Sequence, residues 1–288
     1  MEFLRILFLV LSGMAFLAGV PLNGYILFLA GCHMEKMASA LWFWSRAMAD
    51  FTFIVFLPLR FTSIFILDLS WAKTLSSTIT SFHMFSSAFL LMAISIDRCI
   101  LVARPEWTWN HRMPPLAFGM FLGTWVLSAG FSSRYGDLWE YLLSPASTSM
   151  NFHPDEGRVK AAIVIQFLVG FLIPLALILI PTFYIVLAAK LRWNRLIQST
   201  KPLQILLGLI PTFFLCWLPY HVFFFLQISA TYPLPLLNIG STLACVLTYF
   251  SSCLNPIFYL TLEEEFLRYR QCARNPQTMD NSGSELAE

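Results

Sequence analysis

Seven long apolar runs constrain this sequence more than any other feature. They cover about 4–31, 39–67, 75–101, 115–133, 160–189, 202–228 and 235–261. A membrane-crossing helix needs about 20 predominantly apolar residues, and each run is of that order. Charged residues make up 12% of the 288 positions and hydrophobic ones 58%, whereas soluble domains carry about 25% charge. One water-soluble core cannot hide that apolar surplus, so the solvent is lipid. The expected fold is an all-α membrane protein, a seven-transmembrane helix bundle spanning residues 1–274. A short amphipathic helix at about 263–273 would lie on the membrane surface, where its acids come first and its bases last, as a helix dipole favours. Residues 275–288 read as a polar, disordered cytoplasmic tail.

The N-terminal run outlasts the apolar core of about 7–15 residues found in a signal peptide, so it reads as the first span. Eleven of the 18 Lys and Arg residues, among them Lys36, Arg104, Arg112, Lys190 and Arg268, fall on the first, third and fifth connections or the C-terminal segment. The positive-inside rule makes that side cytoplasmic and puts the N-terminus outside. None of the six cysteines falls in an expected outer loop, so no disulfide framework is expected. A net charge of +2 gives no argument for nucleic acid. No His-Glu-x-x-His, phosphate-cradling glycine loop or Gly-x-Ser-x-Gly is present, which argues against an enzyme, and no cofactor motif appears. Two related halves, the mark of many transporters, are also missing.

Ionisable groups inside spans are costly and therefore candidates for function. Asp50 lies in the middle of the second run, and Arg46 stands one helical turn before it, within pairing distance on the same face. His83 sits in the third run, where a plain core histidine is the competing reading. Asp97 and Arg98 form a charged pair at the inner end of that run. Pro58, Pro174, Pro181, Pro211, Pro219 and Pro256 interrupt spans. Such kinks suit a hinged bundle around a polar interior better than a rigid anchor.

These residues belong to an ordered set of motifs. Leu22-Asn23-Gly24, Ala47-Met48-Ala49-Asp50 and Ile94-Ser95-Ile96-Asp97-Arg98-Cys99 are followed by Trp125, Pro174, Cys216-Trp217-Leu218-Pro219 and Asn255-Pro256-Ile257-Phe258-Tyr259. Together they resemble the rhodopsin-class G-protein-coupled receptors along the whole chain. The Asp-Arg-Cys variant, Arg104-Pro105-x-Trp107-x-x-Asn110-His111-Arg112 and Tyr249-Phe250-Ser251-Ser252-Cys253 are similar to the formyl-peptide and prostaglandin D2 chemoattractant branch. The resemblance implies a receptor at the plasma membrane that passes a peptide or lipid signal to an inhibitory-type heterotrimeric G protein. A non-signalling member of the same fold, acting as a decoy, is the alternative.

On that resemblance, Asp97, Arg98, Cys99, Trp217, Pro219, Asn255, Pro256 and Tyr259 would serve activation and coupling. Ser81, Met84, Gln166, Trp217, Tyr220 and His221 would line the ligand pocket. The acid and arginines that hold formyl peptides are replaced by Ser81, Ala162 and Gln166, which implies an uncharged or weakly polar ligand. Asp50 and Ser87 match the family's sodium site, while His83 and Ser251 replace its asparagines and Arg46 replaces a leucine. Arg46 is therefore expected to displace the ion, leaving no bound metal. The family's outer-loop disulfide has no cysteines to form it here.

Overall fold

The computed structural model describes residues 2–32, 38–65, 70–104, 114–133, 156–191, 201–228 and 234–262. These fall into helices α1 (Glu2–Cys32), α2 (Ala38–Val55), α3 (Leu57–Phe65), α4 (Ser70–Ala103), α5 (Pro114–Ser132), α6 (Glu156–Phe167), α7 (Ile173–Leu191), α8 (Lys201–Ile228) and α9 (Leu234–Leu262). They build seven spans, because α2 with α3 makes the second and α6 with α7 makes the fifth. Five helices are long and apolar enough to cross a bilayer unaided: Ile6–Gly31, Trp71–Ile100, Val159–Leu187, Gly208–Leu226 and Ile239–Thr261. The expected surface helix at 263–273 and the tail lie outside the described residues.

Two proline effects shape the bundle. Pro58 has no N–H to give the carbonyl of Ile54, and the second span breaks just before it, at Phe56. The chain recovers through a bond from the Leu59 N–H to the Phe56 carbonyl at 3.1 Å. In the fifth span, the turn before Pro174 widens into a π-helix at Leu168–Leu172, closed by the Ile173 N–H on the Leu168 carbonyl. A proline cannot complete the α-ladder there, and a widened turn re-satisfies the backbone without ending the helix.

The spans differ in depth. In α4, 78% of the apolar window is buried, against 28% in α1, which makes α4 the central post and α1 a peripheral one. Leu17, Ile180, Phe183 and Leu215 are exposed on the outside, an apolar surface that only lipid can cover without penalty. The inside is polar where the helices meet: Asn23, Arg46, Asp50, His83, Ser87, Ser252 and Asn255 are all buried. Asn23 ties α1 to α9 by donating to the Ser252 carbonyl at 3.1 Å. Helices α8 and α9 approach closely at Gly240, where a Cβ would stand 1.9 Å from Phe223 Cε1.

Candidate functional site

Because α2 and α4 run antiparallel, their polar residues meet rung by rung. The middle rung is built on Asp50, which is fully buried. Its Oδ1 accepts from His83 Nε2 at 2.7 Å, and its Oδ2 accepts from Asn255 Nδ2 at 2.8 Å. Arg46 pairs with the carboxylate at 3.6 Å through Nε, as their i,i+4 spacing predicts. That is an ion-pair distance rather than a hydrogen bond. The guanidinium is anchored elsewhere, donating from Nη1 to the Ser87 carbonyl at 2.6 Å. At an effective dielectric of 20, charges this close attract by about 4 kcal/mol.

His83 holds the cluster together. Its ring stacks on Phe53 at 4.1 Å, tilted by 6°, and lies 5.7 Å from the ring of Trp217. Since Nε2 faces a carboxylate, that nitrogen carries the proton, and the hydroxyl oxygens of Ser87 at 3.3 Å and Ser252 at 3.1 Å lie beside it. Nδ1 is buried with no hydrogen-bond partner among the described residues, which suits the neutral tautomer. One imidazole therefore links Asp50 to the tryptophan beneath the expected ligand pocket.

The serines around this cluster take different places. Ser87 does not reach Asp50, because His83, four residues earlier on the same face, stands between them. Ser251 is buried, but its hydroxyl has no partner among the described residues. Its neighbour Ser252 points to His83 instead, since one residue rotates a helix by about 100°. Asn255, assigned to a separate motif from the sequence, is part of the Asp50 cluster. A sodium ion needs oxygen ligands, and the groups touching this carboxylate are three nitrogen donors, so the donor set does not fit one.

The inner rung holds Arg98 and Tyr259. Arg98 is only 5% exposed. Its Cζ lies 5.9 Å over the ring of Phe43, and the Tyr259 ring packs on that same phenylalanine at 4.9 Å. Phe43, which no motif singles out, thus joins α4 to α9. Asp97 and Cys99 are half-buried beside them.

The expected ligand-pocket residues lie in the buried interior of the bundle. Ser81, Met84, Gln166, Trp217, Tyr220 and His221 are all buried. Gln166 contacts the Met84 sulfur at 3.8 Å. The His221 ring packs edge-on against Phe171 at 5.1 Å, and Trp217 against Tyr220 at 5.3 Å. The Ser81 hydroxyl, the Trp217 indole N–H and His221 Nε2 have no hydrogen-bond partners among the described residues.

A family model for the seven-transmembrane receptors of the rhodopsin family matches residues 23–259. The chain belongs to the rhodopsin family of seven-transmembrane receptors. Chemerin-like receptor 1 of Bos taurus is 34% identical over 92% of this chain and 80% of its own length. The Homo sapiens protein of that name is also 34% identical, over 92% and 77%. N-formyl peptide receptor 3 of Pongo pygmaeus is 30% identical over 90% and 80%. These relatives fall in the chemoattractant branch that the motifs resemble. This rhodopsin-family chain is therefore a multi-pass membrane receptor and not an enzyme.

Proposed function

We propose that this receptor carries an extracellular peptide or lipid signal to an inhibitory-type heterotrimeric G protein, with its N-terminus outside and its C-terminus in the cytoplasm. The observation that carries the reading is the shared use of Phe43 by Arg98 and Tyr259. A buried cation resting on an aromatic ring that another helix also uses is placed to change its surroundings when the helices move. Moving Tyr259 off Phe43 would reshape the surroundings of Arg98 at the bundle's inner mouth, where a G protein helix docks in this family.

Trp217 and His83 supply the link from the ligand side. Pressure on Trp217 passes to the imidazole at 5.7 Å and on to Asp50 and Asn255. Pro219, Pro256 and the π-turn before Pro174 are the hinge points that let the helices answer. The curated relatives are named for chemerin and N-formyl peptides; the replaced charges at Ser81, Ala162 and Gln166 argue against the second ligand class here.

The test is nucleotide exchange on a purified inhibitory-type G protein by the receptor in nanodiscs, screened against peptide and lipid libraries. Agonist-dependent exchange is expected, and Arg98→Ala should abolish it while surface expression stays near normal. Exchange that survives Arg98→Ala would remove the mechanism. Ligand binding without exchange would establish the decoy reading instead.

A further inference from the structure

Spans five and six carry the same seven-residue pattern. Leu177-Ile178-Leu179-Ile180-Pro181-Thr182-Phe183 on α7 is matched by Leu207-Gly208-Leu209-Ile210-Pro211-Thr212-Phe213 on α8, with glycine for isoleucine as the one difference. Both prolines are interior to their helices, ten residues from the ends at Leu191 and Lys201. Successive spans run antiparallel, so each proline sets off about 15 Å of helix on the same side of the bundle. Each withholds an N–H from the carbonyl four residues back, at Leu177 and Leu207. The threonine that follows adds to the bend. Thr182 gives its hydroxyl to the Ile178 carbonyl at 2.8 Å, and Thr212 to the Gly208 carbonyl at 2.8 Å. Such back-bonding loosens a helix and bends it.

The position where the two patterns differ shows what the end of α8 rests on. A Cβ on Gly208 would stand 2.9 Å from Cδ1 and 3.3 Å from Cγ of Phe258. The α9 ring therefore lies directly on the α8 backbone, a closeness that only glycine allows. Phe258 is the chain neighbour of Tyr259, whose ring shares Phe43 with Arg98. Leu209 and Ile210 are buried beside this seat, so it is closed in this structure. Farther along α8 the same fit recurs with the roles exchanged. Phe223 of α8 lies where a Cβ on Gly240 of α9 would come within 1.9 Å of it. Two glycine seats thus clamp α8 to α9, about 22 Å apart along α8.

We propose that residues 201–210 form a latch, seated on Phe258 through Gly208 and hinged at Pro211, which opens without the rest of α8. The hinge is Pro211 rather than Pro219 because Phe213 and Trp217, between the two prolines, are fully buried and hold that stretch in the core. The matching cut at Pro181 gives the end of α7 the same freedom. A role for the latch in coupling rests on the receptor reading; the latch itself does not.

The experiment is amide hydrogen exchange on the full chain in nanodiscs, with no ligand or G protein, comparing residues 203–210 with 212–226. Gly208→Ala should push Phe258 off its seat and speed exchange across 203–210 by about threefold or more, leaving 212–226 unchanged. Alanine is the better helix former, so a purely local effect would slow exchange instead. Adding Phe258→Leu, which puts a smaller side chain over the new methyl, should bring the rate back toward the wild type. Pro211→Ala restores a backbone hydrogen bond and should slow exchange over 203–210 by about threefold. The latch is wrong if Gly208→Ala leaves 203–210 unchanged, speeds both parts of α8 together, or is not reversed by Phe258→Leu. Exchange in Pro211→Ala equal to the wild type would remove the hinge. Nucleotide exchange on the G protein separates the two readings: a latch that moves while no ligand or variant drives that exchange keeps the latch and overturns the receptor function.

Discussion

Asp50 and Arg60 are ten residues apart on one span, and their surroundings differ. Asp50 is fully buried and surrounded by donors: His83, Asn255 and the guanidinium of Arg46. Arg60 is half-buried and held by a hydroxyl and a thiol. A charge surrounded by counter-groups is part of the frame, because removing it strands the others in a low dielectric. Arg60, through bonds to a hydroxyl on α4 and a thiol on α9, ties three helices together near the end of the span. The same span therefore carries a charge inside a polar cluster at its middle and a cross-linking charge near its end.

The largest effect should come from Asp50→Ala, which leaves Arg46 and His83 without their carboxylate. A loss of about 3–5 kcal/mol is expected, in the range for breaking a buried ion pair, and thermal unfolding in detergent would measure it. Arg60→Gln should cost less, about 1–3 kcal/mol, because a neutral amide still fills the place of a guanidinium bonded to Thr80 and Cys245. A cost for Arg60→Gln equal to that of Asp50→Ala would collapse the comparison and make Arg60 a frame residue too.

A smaller change sharpens the middle of the span. Ser252→Ala removes one hydroxyl beside His83 and should cost about 0.6 kcal/mol, typical of an interhelical bond in a membrane. Smallest of all, Tyr249→Phe deletes a hydroxyl that bonds nothing among the described residues, so stability should stay level or rise slightly. A clear drop in the melting temperature of Tyr249→Phe would mean that the hydroxyl supports the packing of α9 against α3.

Hydropathy made the seven spans readable, since twenty apolar residues have few other uses. The break at Phe56 follows from Pro58, which the sequence marks as a kink without saying whether the helix bends or parts. The Arg46–Asp50 pair was legible for a local reason, because i and i+4 meet on any α-helix. Contacts between helices were harder. The choice of Ser252 over Ser251 depends on the rotation of α9 about its axis, which apolar patterning sets only to within about a residue. The interposition of His83 between Asp50 and Ser87 depends on the register of α4 against α2. Phe43 has no motif at all and acquires meaning only when Arg98 and Tyr259 are seen on its ring.

The central claim is that the receptor's own nitrogen donors, rather than a metal ion, satisfy Asp50. Sodium titration of the melting temperature tests it without any ligand. The purified receptor is melted across sodium concentrations at constant ionic strength, with choline as the balancing cation. The wild type should show a flat profile. Arg46→Leu alone should stay nearly flat, because His83 still stands on Oδ1, and the double variant Arg46→Leu with His83→Asn should gain a sodium-dependent rise. A wild-type melting temperature that climbs with sodium would contradict the account.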